Sequence, residues 1–238
     1  PSGSPRYLIL AGLGRNARPT TEAVRKAAAG AIRRIQKLKL KSAWFAWPDS
    51  LPAEASARAA AEGILLGLYT FSRKKKPAAP AAFHTAHFTF SKDREAALQG
   101  LRTGRALAPA QCLARDLANA PANEATPLVV AQRAVEMARS RRIRARIIGA
   151  KQLERLGCGS LLGVGQGSPN PTQLLILEYG LSSRRKPPLL FVGKGVTFDT
   201  GGISIKPASN MHHMKGDMSG AAAVIGALQA CADLKVPY

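Results

Sequence analysis

Acidic side chains are scarce in this chain. Fourteen Asp and Glu stand against 35 Lys and Arg in 238 residues, a formal net charge of +21 at pH 7. The first hundred residues hold 17 basic against 6 acidic side chains, and none of the acidic ones lies between Glu22 and Asp49. A field of this sign draws polyanions, with nucleic acid or an anionic lipid surface the usual partners. Cysteine is rare too. Cys112, Cys158 and Cys231 are odd in number and far apart. That excludes a disulfide framework or a zinc knuckle and points to a reducing, intracellular compartment, cytoplasm or mitochondrial matrix. Aromatic residues make up 5%, so base stacking is not implied and phosphate contact is the expected mode of any nucleic-acid binding. No apolar run approaches the roughly 18 residues of a membrane span. No secretory signal or transit peptide is visible. With a hydrophobic fraction of 46%, the chain reads as soluble and globular, long enough for one large domain or two modest ones.

What is present alternates between strand and helix, the mark of an α/β layer. Tyr7 to Ala11 reads as a short apolar strand. Thr20 or Thr21 caps a helix over Ala23 to Leu38, with Glu22 in its first turn. Ala43 to Trp47 is a second strand and Ala53 to Tyr69 an Ala-rich helix. Arg73 to Ala82 is a charged, Pro-rich loop, and Phe83 to Phe90 alternates like an edge strand. Ala96 to Ala118 is one long helical pattern, ended by the turn-rich Asn119 to Pro127. Pro127 then opens a helix to Arg139. Ala145 to Gly149, Leu174 to Tyr179 and Leu189 to Gly193 read as strands, and Ala221 to Leu234 as a last helix. The division expected is an N-terminal α/β domain over 1–95, a linker helix and boundary over 96–122, and a second domain over 123–238.

Two Gly-rich stretches invite nucleotide readings. Gly12-Leu-Gly14-Arg-Asn-Ala17 has the place and spacing of a dinucleotide loop, but the acidic ribose partner expected about 20 residues on is missing. Gly163 to Ser168 lacks the Gly-Lys-Ser/Thr ending of a phosphate loop. His84 and His87 lack nearby partners for a metal.

Chemistry concentrates in Leu189 to Asp217. An apolar strand delivers Lys194 to its C-terminal end, where open α/β sheets bind ligands. Asp199 and Thr200 precede Gly201-Gly202, where backbone can turn tightly. Lys206 follows, and Asp217 lies near the start of the last helix. A lysine beside an aspartate can be an ordinary ion pair at a sheet edge. Alternatively, Asp199 and Asp217 share a divalent metal through oxygen. A lysine then joins as the neutral amine, and a second, protonated lysine steadies a developing oxyanion.

These residues closely resemble the metal-site signature of the leucyl aminopeptidase (cytosol aminopeptidase) family. The likeness is carried by Val192-Gly-Lys-Gly-Val-Thr-Phe-Asp-Thr-Gly-Gly-Ile-Ser-Ile-Lys-Pro207, Asn210-Met211 and Met214-Lys-Gly-Asp-Met-Ser-Gly-Ala-Ala222. Upstream, Leu113 to Pro127 looks like that family's junction between two domains. Leu156 to Ser168, Gly12 to Gly14, Glu62-Gly63 and Tyr69-x-Phe71 also fit. The resemblance implies a smaller N-terminal α/β domain joined by a long helix to an α/β metallopeptidase domain, both incomplete. It implies that Lys194, Asp199 and Asp217 are ligands of two divalent metals, zinc or manganese, with Asp199 bridging. It also implies that Lys206 contacts the scissile carbonyl and that Met214 lines the pocket for the first side chain. The reaction implied is removal of N-terminal residues from peptides by metal-activated water. Homo-oligomers, hexamers in the family, are implied as well.

The match has limits. The family's Asn-Thr-Asp-Ala-Glu-Gly-Arg segment, which supplies further metal ligands and an arginine, is not in the sequence. Strands before Tyr7 are also missing. His212 stands where the family usually has an acidic residue; His212 and His213 read either as exposed loop histidines or as new ligands. The chain alone is therefore expected to be catalytically silent. A competing expectation is a basic scaffold that contacts RNA within a large ribonucleoprotein such as a mitochondrial ribosome. Its candidate contacts are Arg33, Arg34, Lys37, Lys39 and Lys41; Arg73, Lys74, Lys75 and Lys76; Arg139, Arg141, Arg142, Arg144 and Arg146; and Arg184 to Lys186.

Overall fold

The first helix, α1 (Thr21–Lys37), starts where Thr20 accepts the Ala23 amide on its hydroxyl at 3.1 Å. Glu22 in its first turn and Arg34 and Lys37 in its last complement the helix dipole. Val24, Ala28, Ile32 and Ile35 form its buried stripe. The computed structural model describes residues 7–15, 19–46, 51–72, 83–180 and 187–237. They group into two units, Pro1–Pro109 and Ala110–Tyr238.

In the first unit, α1 packs on α2 (Ala53–Leu68), and α2 also meets the start of α3 (Arg94–Asn119). Both contacts run backbone to backbone. A Cβ on Gly63 of α2 would stand 2.2 Å from the Arg25 carbonyl oxygen, and one on Gly100 of α3 would stand 2.1 Å from that of Glu54. Glycine is what lets these helices approach so closely. Buried within α2, Glu62 accepts Arg25 Nε at 2.6 Å and faces Arg58 Nε at 3.7 Å. Arg25 also meets Glu22.

Strand β1 (Ser42–Phe45) pairs in parallel with β2 (Thr85–Phe88), in register Ser42 to Thr85 through Phe45 to Phe88. The intervening α2 is the crossover that parallel pairing requires. Ala43, Phe45, Ala86 and Phe88 pack against the core of Val24, Ile32, Ile35, Ala60, Ile64 and Phe83. Strand alternation puts Ser42, Trp44, Thr85 and His87 on the other face. The expected strand to Trp47 thus ends at Phe45; Trp47 lies outside the described residues, as do Arg73 to Ala82.

In the second unit, α4 (Pro127–Arg139) is capped by Thr126 and buries Val130, Ala131, Ala134, Met137 and Ala138. Strands β3 (Arg144–Gly149) and β4 (Gln173–Glu178) are antiparallel. Two short helices intervene, α5 (Ala150–Arg155) and α6 (Gly159–Gly165). A 3-10 helix, Met211–Gly216, then leads to α7 (Ser219–Asp233). Gly226 lets α7 close on α3, since a Cβ there would be 2.8 Å from the Ala110 carbonyl oxygen.

Two expected strands make no ladder. Tyr7 to Ala11 keeps the alternation, with Ile9 packed on the core and Leu8 and Leu10 exposed, but no described strand pairs with it. Leu189 to Gly193 is likewise unpaired, and its apolar side chains are exposed, Leu190 and Val192 each at 85%. Apolar pattern marks a segment fit for a sheet; the ladder itself needs a neighbour to share backbone hydrogen bonds.

Candidate metal centre

Lys194 follows the close contact between Gly193 and the start of α7. A Cβ on Gly193 would be 2.5 Å from the Gly220 carbonyl oxygen, and the Ala221 amide donates to the Lys194 carbonyl at 2.8 Å. That seam fixes Lys194 beside the turn into α7, where Asp217 caps the 3-10 helix. Lys194 Nζ stands 2.8 Å from Asp217 Oδ2. That oxygen is shielded from solvent and is met by the lysine ammonium. Asp217 comes first in holding the Lys194 ammonium above the usual lysine range; loss of hydration opposes it and the charge of Asp199 adds to it.

The second pair is built by a tight turn. Gly201 has φ of +105°, and a Cβ there would be 2.4 Å from the Ser204 carbonyl oxygen. The turn closes where the Lys206 amide donates to the Thr200 carbonyl at 2.9 Å. It brings Lys206 Nζ to 3.2 Å from Asp199 Oδ2, while the Gly201 amide donates to Asp199 Oδ1 at 2.8 Å. The Gly201 amide, then Lys206 and Lys194, hold the Asp199 carboxyl below the usual range, against partial desolvation.

The pairing is therefore crosswise. Of the two readings of a lysine beside an aspartate, the ordinary ion pair would join Lys194 to Asp199, five residues on; no such pair forms among the described residues, although each charge acts on the other. Met214 is half-buried one turn before Asp217. Lys215 Nζ donates to the Asn119 carbonyl at 3.1 Å and ties the 3-10 helix to the end of α3. Sequence reasoning missed the roles of Gly220 and Asn119; a Ser-Gly pair opening an Ala-rich helix was the available signal for the first. His212 and His213 are exposed, with ring centroids 4.1 Å apart. Among the described residues, no three His, Cys, Asp or Glu gather as a metal-binding group. Two carboxylates beside two lysines suit a hard or borderline dication in kind but give only part of a coordination shell.

The basic clusters divide by their partners. Arg33, Arg34, Lys37, Lys39 and Lys41 are exposed, with no carboxylate in ion-pair reach among the described residues. Arg141 is held by Asp233, Nε to Oδ1 at 2.8 Å, and Arg144 faces Glu178 at 3.8 Å. Arg139, Arg142 and Arg146 are exposed. Arg73, Lys74, Lys75, Lys76 and Arg184 to Lys186 lie outside the described residues. His84 is exposed, and His87 stacks on Trp44 with centroids 4.6 Å apart. No helix among the described residues is long and apolar enough to cross a membrane.

Known proteins resemble the chain along nearly its whole length. The profile of the cytosol aminopeptidase family, catalytic domain, matches residues 112–238, and that of the family's N-terminal domain matches residues 1–78. A probable cytosol aminopeptidase of Roseiflexus castenholzii is 40% identical over 238 residues, covering 98% of this chain and 49% of the relative. One from Rickettsia felis is 36% identical over 242 residues, covering 99% and 48%. Among solved structures, the bottromycin maturation enzyme BotP in complex with Mn superposes with a TM-score of 0.80 at 36% identity, over 95% of this chain and 48% of that one. The chain spans about half the length of the curated relatives it matches. With both of the family's domains matched along it, the chain belongs to the cytosol aminopeptidase family.

Proposed function

We propose that residues 1–238 form the N-terminal domain and the first part of the catalytic domain of a metal-dependent enzyme that removes N-terminal residues from peptides. The crosswise meeting of Lys194 with Asp217 and Lys206 with Asp199 carries this reading. It sets two carboxylates and two cations together inside the stretch matched by the family's catalytic domain. The division proposed is a first domain over 1–95, a junction over 96–122 and a second domain over 123–238.

Asp199, Asp217 and Lys194 would hold divalent metal, with Lys194 as the neutral amine. Manganese is the metal of the solved neighbour. Bound divalent metal supplies Lewis acidity and a water acidic enough to attack near neutral pH. The rest falls to the chain's own side chains. The Lys206 side chain, beside Asp199, would polarise the scissile carbonyl and steady its developing negative charge. Met214 offers a polarisable apolar wall to the first side chain of the peptide.

Two carboxylates cannot neutralise two dications, and Lys194, Lys206 and Lys215 add repulsion. This stretch alone is therefore expected to be silent. The test is metal-dependent hydrolysis of a leucine amide by residues 1–238, with Mn2+ or Zn2+ supplied. Background rate is the expected result; robust turnover, abolished by Lys206→Ala, overturns the silence while keeping the site.

A further inference from the structure

The short helix that ends at Asp217 is weakly built. Met211–Gly216 form a 3-10 helix, entered through Asn210 at φ 61°. Six residues is long for this kind of helix, whose hydrogen bonds are poorly aligned. None of the six is buried, so a core does not hold it in place. Yet Asp217 is its C-cap, with its amide on the Met214 carbonyl at 3.1 Å. Asp217 Oδ2 is the shielded carboxylate oxygen met by Lys194. A metal ligand must be held to roughly half an ångström, and a bare 3-10 helix does not set that precision alone.

Two anchors flank the carboxylate. On one side Met218 is buried, 1% exposed. On the other, two residues before Asp217, the half-buried Lys215 sends Nζ to the Asn119 carbonyl at 3.1 Å. Asn119 is the last residue of α3. The carbonyls of a helix's final turn point out of its end and carry its negative pole. α3 brings no basic residue of its own to that turn. Lys215, 96 positions along the chain, supplies the cation.

We propose that Lys215 is a positioning residue for metal binding: by fastening the 3-10 helix to the C-terminal end of α3, it holds Asp217 in the orientation that takes up a divalent cation. This rests on the reading of Asp217 as a metal ligand. The charge of Lys215 also repels a dication, so tether and repulsion act with opposite signs. The negative end of α3 offsets that charge, and the tether dominates.

The test compares Lys215→Met and Lys215→Arg with the parent chain. Mn2+ binding is followed by electron paramagnetic resonance. Lys215→Met is expected to weaken it about ten-fold, the scale of losing a group that orients a metal ligand. Lys215→Arg keeps a cationic donor and is expected to retain most of the affinity. Met137→Ala removes a buried side chain from α4 and lowers stability without touching the tether; its Mn2+ affinity is expected to match the parent's. Hydrogen exchange of the metal-free chain gives a second readout. Peptides covering residues 215–222 are expected to exchange faster in Lys215→Met than in the parent or Lys215→Arg. Unchanged or tighter Mn2+ binding in Lys215→Met would overturn the proposal, since repulsion alone would then describe the lysine. So would equal weakening in Met137→Ala, which would make the effect one of general stability. If the parent takes up no Mn2+, the metal reading fails by itself. Exchange then decides the tether, and equal rates in the parent and Lys215→Met overturn it.

Discussion

Lys194 passes over Asp199, five residues along the chain, and meets Asp217 at 2.8 Å. Asp199 in turn receives Lys206 at 3.2 Å and the Gly201 amide at 2.8 Å. Each lysine occupies a carboxylate that a metal ion would claim. Lysine and cation therefore compete for the same oxygens, and the competition has a sign. Lys206→Met should strengthen Mn2+ binding by roughly two- to five-fold, the scale of losing an exposed ion pair. Isothermal titration checks this; weaker binding would show Lys206 supporting the site instead of competing for it.

Gly193 and Gly220 hold Lys194 by backbone contact. Gly193→Ala forces a methyl to within 2.5 Å of the Gly220 carbonyl oxygen. Overpacking of this kind costs about 1–3 kcal/mol. The expected outcome is a lower Tm by calorimetry and loss of Mn2+ affinity together, because the same seam joins Gly193 to the start of α7 and positions the lysine.

Glu62 sits buried between α1 and α2 with Arg25 and Arg58. Glu62→Ala takes the buried partner from Arg25 and leaves it Glu22 alone, a loss of about 1–3 kcal/mol. Arg25→Met with Glu62→Leu should lose less than the sum of the single changes, since the pair is removed whole. Urea unfolding of the four proteins measures the coupling.

Cys112 lies half-buried on α3. Burial pushes its thiol above the usual range; Arg115 pulls it back and Asp116 pushes it further up. A raised pKa means less thiolate at any given pH. Alkylation of Cys112 by iodoacetamide, followed by mass spectrometry from pH 7 to 10, should reach half its maximal rate at a higher pH than a small-molecule thiol does.

Much of this was legible in the sequence where the cause is local. Thr20 with Glu22, and Pro127 after Thr126, announce α1 and α4 because capping depends on residues within one turn. The long helix through Ala118 survived Pro109 in its interior. What depended on distant neighbours was not legible. Leu189 to Gly193 has the composition of a buried strand yet pairs with no strand among the described residues. α6, Gly159–Gly165, was hidden by its glycines, which read as loop. At the site, the residue types were visible and the partners were not. The crosswise pairing arises from the Gly201 turn and the Gly193–Gly220 seam, neither of which is encoded in the spacing of Lys194, Asp199, Lys206 and Asp217.

The central claim is that Asp199 and Asp217 belong to one divalent metal site. Electron paramagnetic resonance of Mn2+ added to the 238-residue chain tests it directly. Bound Mn2+ should be seen as loss of the free-ion signal, and Asp199→Asn and Asp217→Asn should each restore that signal. An identical titration for the parent and the double variant would contradict the account.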